Sequence, residues 1–557
     1  MKVNLQSFNL RLKESYTRFC STFIFLLFYL IATFLLDLDF LNIKHYSLYY
    51  GFFIGIFISI LVNIFIVNKK IYSNKKKNIV SFIISLIVSV FWSVVMYRLP
   101  QERVFNLYYV TFYEYNRLNL VYYSFILITI CLSIYFLYNK ENEKTLFSHL
   151  IKSVTISGFI STILFIGMAV CITAFSVLIL PMETIYIYII LAKLCFIFVN
   201  ISLILASIPK KDSEIIIPKF YKVIVKNILL PLFIVLIGIL YVYILKIIIT
   251  LNLPVGEINI FASLALLGFV FLYLNLLNEE DKYSMLYKQY GGYLMIPIII
   301  TQLIFIYIRL NAYGLTETRV LSLMFMIIGI IFLVNSIMKK NIKYPFLIAA
   351  VIIFIFTISP LNIYNISNFN QESRLISVLK KNDMLKGNEI VKSNNLSDED
   401  KQIIQSSHQY LVHSAGKKSD FVKSIIEKTD TENLYGFKFK ETYEFTDFGD
   451  EEYYEDENIE YFSFYHDYEG EEINIKGYNK MYDLWIEGTK INQHGINIDL
   501  YDYFYDLYEN NKNIGTLDKK LTYDIGKNTR IVFTSIDFSI EEEKISDCTF
   551  SIYLLKK

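Results

Sequence analysis

Five basic side chains stand out because they lie within apolar stretches or in the short connections between them, where a positive charge is costly. They are Lys193, Arg98, Arg103, Arg309 and Arg319. An arginine guanidinium binds a carboxylate or phosphate through two parallel hydrogen bonds, and a lysine offers a compact charge. If the five converged on one pocket, it would suit an anionic group. We therefore treat them as a candidate outward-facing basic site.

The connection that carries two of these arginines reads RLNAYGLTETR. Gly314 suits a tight turn, and Thr316 suits the cap of the following helix. Arg309 at the end of one helix and Glu317 at the start of the next complement the helix dipoles. Arg319 lies in the first turn of the second helix, where a positive charge is unfavourable. Arg319 therefore needs a partner: Glu317, a lipid phosphate or an acidic domain. Structural anchoring and an anion site both stay open.

Lys193 interrupts an apolar stretch near its middle, where a charge costs about 2.5 to 3.5 kcal/mol. It either has a functional role or is packed or snorkelling towards Glu183. The partners that the sequence offers within the apolar stretches are backbone carbonyls and the side chains of Asn200, Asn275 and Gln302.

Long apolar stretches position these residues. A membrane span needs about 17 to 25 apolar residues, and the sequence predicts about eleven spans in a polytopic α-helical membrane protein. They are Phe19–Leu36, Tyr49–Val67, Ile79–Tyr97, Val121–Tyr138, Val154–Leu180, Ile185–Ile208, Ile228–Ile249, Ile258–Leu277, Tyr293–Leu310, Val320–Ile337 and Tyr344–Ile363.

The basic residues of the connections predict the orientation. With a cytoplasmic N-terminus, the inner segments hold 22 Lys and Arg residues and the outer ones only six. Eleven spans then place the C-terminal domain outside the membrane. We expect a multi-pass protein of the cell membrane with a cytoplasmic N-terminus.

The polar C-terminal part is acidic and predicts a soluble α+β domain. We divide the chain into a transmembrane domain (1–364), an amphipathic connecting segment (365–395) and an extracytoplasmic α+β domain (396–557). Helices are expected at Asn370–Leu385, capped by its Asn, at Leu396–Val412 and at Ile498–Asn511. Alternating residues predict strands at Tyr435–Phe445, Ile459–Tyr468, Ile473–Ile486, Thr529–Ile540 and Cys548–Leu555.

Two stretches carry a family resemblance. RLNAYGLTETR, followed after about forty residues by PLNIYNISNFNQESRLISVLKKNDML (Pro360–Leu385), resembles the bacterial multi-pass membrane proteins that contain the domain of unknown function 4153. The segments QYLV (Gln409–Val412) and IKGYN (Ile475–Asn479) also fit that family. The resemblance implies a polytopic bacterial membrane protein and implies neither a reaction nor catalytic residues.

The remaining motifs favour a protein that is not an enzyme. The sequence has no Walker A loop, H-E-x-x-H, C-x-x-C or G-x-S-x-G, so we predict no catalytic residue, metal site or cofactor. His408 and His413 are interpreted as surface residues, and the nine acids within Glu444–Glu460 as a solvated loop or a weak calcium or docking site.

Two functions remain open. The first is a cell-envelope protein whose spans anchor a sensing or binding domain outside the membrane. The alternative is a transporter or membrane enzyme for an anionic or lipid-linked substrate. The predicted partners are the lipid bilayer and either anionic lipid headgroups or an envelope ligand, and no nucleic acid.

Overall fold

The computed structural model describes residues 5–37, 46–69, 74–97, 108–139, 141–178, 185–209, 215, 217–250, 258–387, 389–393, 396–414, 417–426, 431–439, 459–465, 478–493, 496–511, 521–526, 528–541 and 544–557. The chain forms two compact units, Met1–Phe445 and Thr446–Lys557. Residues 365–445 belong to the first of these units; the division that the sequence predicts, after residues 364 and 395, stays a prediction.

The first unit is almost entirely helical. Its helices are α1 (Leu5–Arg18), α2 (Cys20–Asp37), α3 (Tyr46–Lys69), α4 (Asn74–Tyr97), α5 (Tyr108–Leu137), α6 (Leu146–Leu178), α7 (Ile185–Lys193), α8 (Asn200–Ser207), α9 (Lys219–Val223), α10 (Leu230–Thr250), α11 (Ile258–Leu276), α12 (Lys282–Tyr313), α13 (Glu317–Met338), α14 (Lys343–Thr357), α15 (Ile363–Lys381), α16 (Asp398–His413), α17 (Asp420–Ile426) and α18 (Thr431–Tyr435). Two π-helical segments join α7 to α8 (Leu194–Val199) and α9 to α10 (Ile224–Leu229). Two short strands, β1 (Leu385–Lys386) and β2 (Glu389–Ile390), pair after α15.

Within the described residues, nine helices are long and apolar enough to cross a membrane. They correspond to the second to tenth predicted spans. The predicted first span is α2, which joins α1 at a bend of 91°; as one bent span, the pair would make ten. The predicted eleventh corresponds to α14, which has 15 residues and is shorter than a usual span. The count of eleven is therefore not confirmed.

The distribution of exposed and buried side chains in the first unit is typical of a protein surrounded by lipid. Side chains such as Ile249 and Leu267 are more than 60% exposed, whereas Ser59 and Asn63 are fully buried. Asn63 Nδ2 donates to Ser21 Oγ (2.9 Å) between α3 and α2, a contact typical of helices in membranes. The structure thus shows a multi-span membrane region.

Helix α15 begins earlier than the sequence predicts. Asn362 is its N-cap, and the side chain accepts a hydrogen bond from Asn365 N (3.0 Å). Asn370, the expected cap, therefore lies inside the helix, and its side chain is free to bond another element. In α16 the N-cap is Ser397, whose Oγ accepts from Asp400 N (3.2 Å).

The second unit is an antiparallel sheet with one helix. Its elements are β3 (Ile459–Tyr465), β4 (Lys480–Glu487), β5 (Lys490–Ile491), β6 (Ile498–Asp499), α19 (Tyr501–Asn511), β7 (Thr522–Ile525), β8 (Thr529–Glu541) and β9 (Lys544–Lys556). The main sheet has the order β3-β8-β9-β4, and β7 also pairs with β8. In the antiparallel register of this sheet, Phe462 of β3 pairs with Phe538 of β8, and Ile486 of β4 pairs with Phe550 of β9.

Alternation in the sequence predicted most of this sheet. The expected strand at Tyr435–Phe445 is wrong in its described part, because Tyr435 ends α18 and Gly436 has φ +89°. Residues 440–458 lie outside the described residues, and so does most of the acidic stretch.

Candidate functional site

The connection between α12 and α13 forms a tight turn that α15 covers. Gly314 has φ +74° and ψ −172°, a region that only glycine adopts readily. A Cβ there would collide with the Arg374 guanidinium and with Gln371 Nε2. The turn and α15 are therefore in direct contact, and Gly314 permits it. Thr316 holds the N-cap position of α13 without a side-chain capping bond.

Amide side chains of α15 satisfy the backbone of this turn. Gln371 Nε2 donates to Tyr313 O and Leu315 O, both at 3.0 Å. Asn370 Oδ1 accepts from Leu315 N at 2.8 Å. A turn buried under another element needs such partners for its backbone groups, so α15 fixes the turn in place.

Two arginines meet at this junction. Arg319 Nη1 donates to Gly314 O (3.0 Å), and its guanidinium lies 5.4 Å from the centre of the Tyr313 ring. Arg374 Nη2 donates to Ala312 O (2.7 Å). Nη1 of Arg374 is buried and has no acceptor among the described residues. Such an unfilled donor on a charged group is costly.

The charges around this junction are mostly positive. Burial and the neighbouring Arg319 lower the pKa of Arg374. Burial also lowers the pKa of Lys418, and Glu317 opposes that shift. We call the group of Arg117, Glu317, Arg319, Arg374 and Lys418 the basic cap; it holds four cations and one carboxylate, and a second carboxylate, Glu372, lies nearby on α15.

Tyr364 connects α5 to the basic cap. Burial raises its pKa to about 12, with Glu317 adding to the shift and Arg117 opposing it. Its side chain packs with Val320 and Ile363, and Leu120 of α5 contacts the same cluster. Helices α5, α13 and α15 thus meet at the cap.

A buried polar stripe extends from the cap along α15. Ser367 and Asn368 are fully buried, and neither side chain has a hydrogen-bond partner among the described residues. Gln371 Oε1 accepts from Ser407 Oγ of α16 (3.0 Å). Nearby, Glu372 accepts from Ser419 N (3.4 Å). The stripe therefore combines paired side chains with two that could still bind a polar ligand.

The expectation of a surface position for His408 is wrong. Only 5% of this residue is exposed, and its Nδ1 lies 2.9 Å from Tyr435 Oη. Its ring also packs edge-on against Phe439. His408 thus helps to build the core between α16 and α18. The side chain of His413 lies outside the described residues.

The five residues of the predicted basic site are distributed as follows. Arg319 belongs to the cap, and Arg309 lies four residues before the end of α12 with its Nε and Nη2 buried. Lys193 ends α7, and its Nζ lies 5.6 Å from the centre of the Tyr49 ring in α3. Arg98 and Arg103 lie outside the described residues. The convergence of all five stays a prediction.

Two of the three side chains suggested as partners of Lys193 have other contacts. Asn275 Oδ1 accepts from Tyr221 Oη (2.6 Å), and Gln302 Nε2 donates to Ser263 Oγ (2.9 Å). The Tyr49 ring is instead a cation–π partner of the Lys193 ammonium. The spacing of residues in the sequence does not indicate this contact. The π-helical segment begins at the next residue, Leu194, and such segments are frequent at functional sites.

Sequence reasoning missed Arg374 and Gln371. Both lie on one face of α15 with Tyr364 and Ser367, at the i+3 and i+4 spacing of an amphipathic helix, and this pattern was a usable signal. Among the described residues, no group of three or more His, Cys, Asp or Glu side chains could hold a metal ion.

The comparisons with known proteins give one match. A family model described as "Domain of unknown function (DUF4153)" matches residues 101–401, which is more than half of the chain. The match spans Lys193, the Arg309–Arg319 turn and all of α15. No curated protein and no solved structure matches the chain.

Proposed function

This chain belongs to the family defined by the domain of unknown function 4153, and we propose that it is a membrane-anchored binding protein whose ligand is anionic. The membrane helices hold the basic cap and anchor the C-terminal unit, which senses or binds a partner. The anionic group docks at the junction of the α12–α13 turn with α15. The role is non-enzymatic, in keeping with the motifs in the sequence.

One observation carries this proposal: the buried, unfilled Nη1 of Arg374. It lies beside a second arginine, in a group of four cations and one carboxylate. Guanidinium groups bind phosphate and carboxylate with fixed geometry. A phosphate oxygen at Nη1 would fill the donor and reduce the repulsion between Arg319 and Arg374.

We further propose that the cap and the C-terminal unit lie outside the cell membrane. The excess of Lys and Arg in alternate connections supports this orientation, because cytoplasmic loops are rich in these residues. The turn at Gly314 falls on the side that is poor in basic residues. The ligand would then come from the envelope, either an anionic lipid headgroup or another phosphorylated or carboxylated molecule.

The test uses the purified full chain in a neutral detergent with inorganic pyrophosphate as the probe. Pyrophosphate should raise the thermal unfolding midpoint in a saturable manner. Arg374→Gln should weaken its apparent affinity at least tenfold, because a charge-assisted hydrogen bond contributes about 1.5 to 3 kcal/mol. Arg374→Lys keeps the charge without the fork and should give an intermediate affinity.

Arg530→Gln is the matched control. Arg530 lies in the second unit and forms a two-point contact with Asp524 (2.6 and 2.9 Å), so its replacement should leave pyrophosphate binding unchanged. Equal binding by the native chain and Arg374→Gln would refute the proposal, and so would the absence of stabilisation by pyrophosphate in the native chain.

A second candidate is a transporter or membrane enzyme for an anionic or lipid-linked substrate. The position of Lys193 supports it, since this lysine contacts an aromatic ring within a candidate span and directly precedes a π-helical segment. Charges inside membranes usually serve a function. Lys193→Ala and Arg319→Ala would then abolish the phenotype of the chain at normal protein levels.

The control for that candidate is Lys246→Ala, which removes another lysine from a candidate span. Membranes of cells that carry each variant are assayed for the amount of protein and for complementation of a strain that lacks it. Loss of Lys193→Ala protein from the membrane would assign the lysine to folding instead.

A further inference from the structure

A groove lies between α12 and α13 at the other end of these helices from the basic cap. Its volume is about 460 Å³. Three of its six lining residues come from α12 and three from the end of α13 and the residue after it. They are Gln289, Tyr290, Tyr293, Ser336, Ile337 and Lys339.

Close helix packing forms the floor of this groove. A Cβ on Gly292 would lie 2.9 Å from Ile337 Cγ1 and 3.1 Å from Ser336 Oγ, so α13 approaches the backbone of α12 there. Ser336 Oγ is engaged with Leu333 O (2.7 Å). Larger side chains before and after the glycine then form the walls.

The α12 wall has the character of a membrane interface. Tyr290 and Tyr293 are each about half exposed, and Gln289 Nε2 donates to Tyr290 Oη (3.1 Å). Tyrosine is enriched at the headgroup level because its ring is apolar and its hydroxyl is polar. One wall is thus suited to an acyl chain next to a polar headgroup.

The α13 wall is positively charged. Lys339 is the C-cap of α13 and has a left-handed conformation (φ +51°), and Lys340 follows it at an exposed position. None of the six lining residues is acidic. The C-terminus of a helix carries about half a negative charge, which the two lysines outweigh.

Two of the three acidic residues before α12, Glu279 and Asp281, are paired with lysines outside the groove. Glu279 Oε1 lies 2.7 Å from Lys222 Nζ, and Asp281 Oδ2 lies 3.1 Å from Lys226 Nζ. Their charges are therefore balanced by other residues. Glu143 Oε1 accepts from Ile342 N (3.2 Å) just after the end of α13, so one carboxylate lies close to this end of the helix, where Lys339 and Lys340 outnumber it.

The position of the groove along the axis of α12 corresponds to one surface of the membrane. Helix α12 has 32 residues, about 48 Å at 1.5 Å per residue, which is longer than a hydrocarbon core of about 30 Å. Tyr290 and Tyr313 are separated by roughly 35 Å along this helix. The groove and the basic cap therefore correspond to opposite membrane surfaces.

We propose that this groove binds an anionic phospholipid. The headgroup phosphate pairs with the Lys339 ammonium, and the first part of an acyl chain lies along Tyr290, Tyr293 and Ile337. Basic pockets between membrane helices bind anionic headgroups in this manner. This site is separate from the basic cap and does not depend on the function proposed for it.

The test titrates the purified full chain with short-chain phosphatidylglycerol in a neutral detergent and follows the thermal midpoint. Phosphatidylcholine of equal chain length and inorganic phosphate are the comparison probes. Lys339→Asn should weaken phosphatidylglycerol binding at least fivefold, and asparagine tolerates the left-handed backbone. Lys339→Arg keeps the charge and should retain binding.

Lys340→Asn is the matched control, because Lys340 is adjacent but does not line the groove; it should weaken binding less than Lys339→Asn does. Preference for phosphatidylglycerol over phosphatidylcholine, with the larger loss in Lys339→Asn, supports the proposal. Equal binding of both lipids overturns it. Inorganic phosphate binding as tightly as the lipid also overturns it, since the site would then take a free anion.

Discussion

The two units of this chain distribute polar and apolar side chains in opposite ways. In the first unit, which we call the membrane unit, Ile249 and Leu267 are exposed, whereas Ser59 and Asn63 are buried. In the second unit, which we call the sheet unit, Phe504, Phe533 and Phe550 are buried, and charged pairs such as Arg530 with Asp524 lie at the surface. Apolar side chains are exposed and polar side chains are buried in the first unit, and the second unit has the opposite arrangement.

Different forces therefore hold the two units together. Water drives the burial of the phenylalanine core, whereas lipid gives no such force and leaves close packing and hydrogen bonds between helices. A third kind of interaction holds the basic cap together: amide and guanidinium side chains form hydrogen bonds with the backbone of the α12–α13 turn. We expect substitutions to have different effects in the three places.

The largest effect is expected in the sheet core. Phe504 contacts Phe533, Phe538 and Phe550 at ring distances of 5.0 to 5.9 Å. Phe504→Ala should lower the free energy of unfolding of this unit by about 3 to 5 kcal/mol. Pulse proteolysis of the full chain in urea measures it. Trp485→Ala, at a 64% exposed position, should change it by less than about 0.5 kcal/mol; equal losses would contradict the water-driven core.

The next effect tests whether backbone geometry holds the cap. Gly314→Ala introduces a Cβ at φ +74° and ψ −172° and against Arg374, so it should cost about 1 to 3 kcal/mol. The thermal midpoint of the full chain in detergent reports it. Gly387→Ala also has a positive φ (+62°) but meets nothing within 4 Å, and should cost less. The opposite ranking would show that α15 does not press on the turn.

A smaller effect concerns the start of α15. Asn362→Ala removes the side chain that caps Asn365 N and should cost about 1 kcal/mol. The same thermal assay measures it, with Ser373→Ala at an exposed mid-helix position as the control. If the two variants melt alike, Asn362 does not define the helix start.

The smallest effect is a pH dependence. Lys381 Nζ donates to both carboxylate oxygens of Asp400 (2.9 and 3.2 Å), and Asn382 Nδ2 donates to Oδ2 (3.1 Å). These bonds, the Lys381 bond first, lower the pKa of Asp400. Stability from this carboxylate is present above about pH 4, the unfolded pKa, and is lost as pH falls through the lower folded pKa.

Thermal midpoints measured between pH 6 and pH 3 should therefore fall less steeply for Asp400→Asn than for the native chain. Asp524→Asn changes an exposed carboxylate of the sheet unit, whose pairing with Arg530 is screened by solvent, and should alter the slope less. An unchanged slope in Asp400→Asn would exclude this carboxylate as a source of acid sensitivity.

The sequence predicted the membrane helices because apolar length is a local property. It extended the last predicted span to Ile363, whereas Asn362 caps a new helix there. Alternation predicted β8 and β9 closely. It failed at Tyr435, whose ring instead packs against His408 and Phe439.

The candidate site was predicted only in part for a similar reason. The turn with Arg309 and Arg319 was visible because its charges contrast with apolar neighbours. Arg374 was missed because it bonds Ala312, which is 62 residues away in the sequence, and its unfilled donor depends on burial. The spacing of residues places Arg374 and Gln371 on one face of α15, but it does not show that this face contacts Ala312 or that Nη1 is buried.

The central claim is that α12 and α13 cross the membrane and hold the basic cap and the lipid groove on opposite sides, with the cap outside. A chain without its five native cysteines, carrying Ser373→Cys near the cap or Lys340→Cys near the groove, tests it directly. A membrane-impermeant thiol reagent applied to intact cells should label Ser373→Cys at once and Lys340→Cys only after lysis. Labelling of both positions on the same side, or the reverse pattern, would contradict the account.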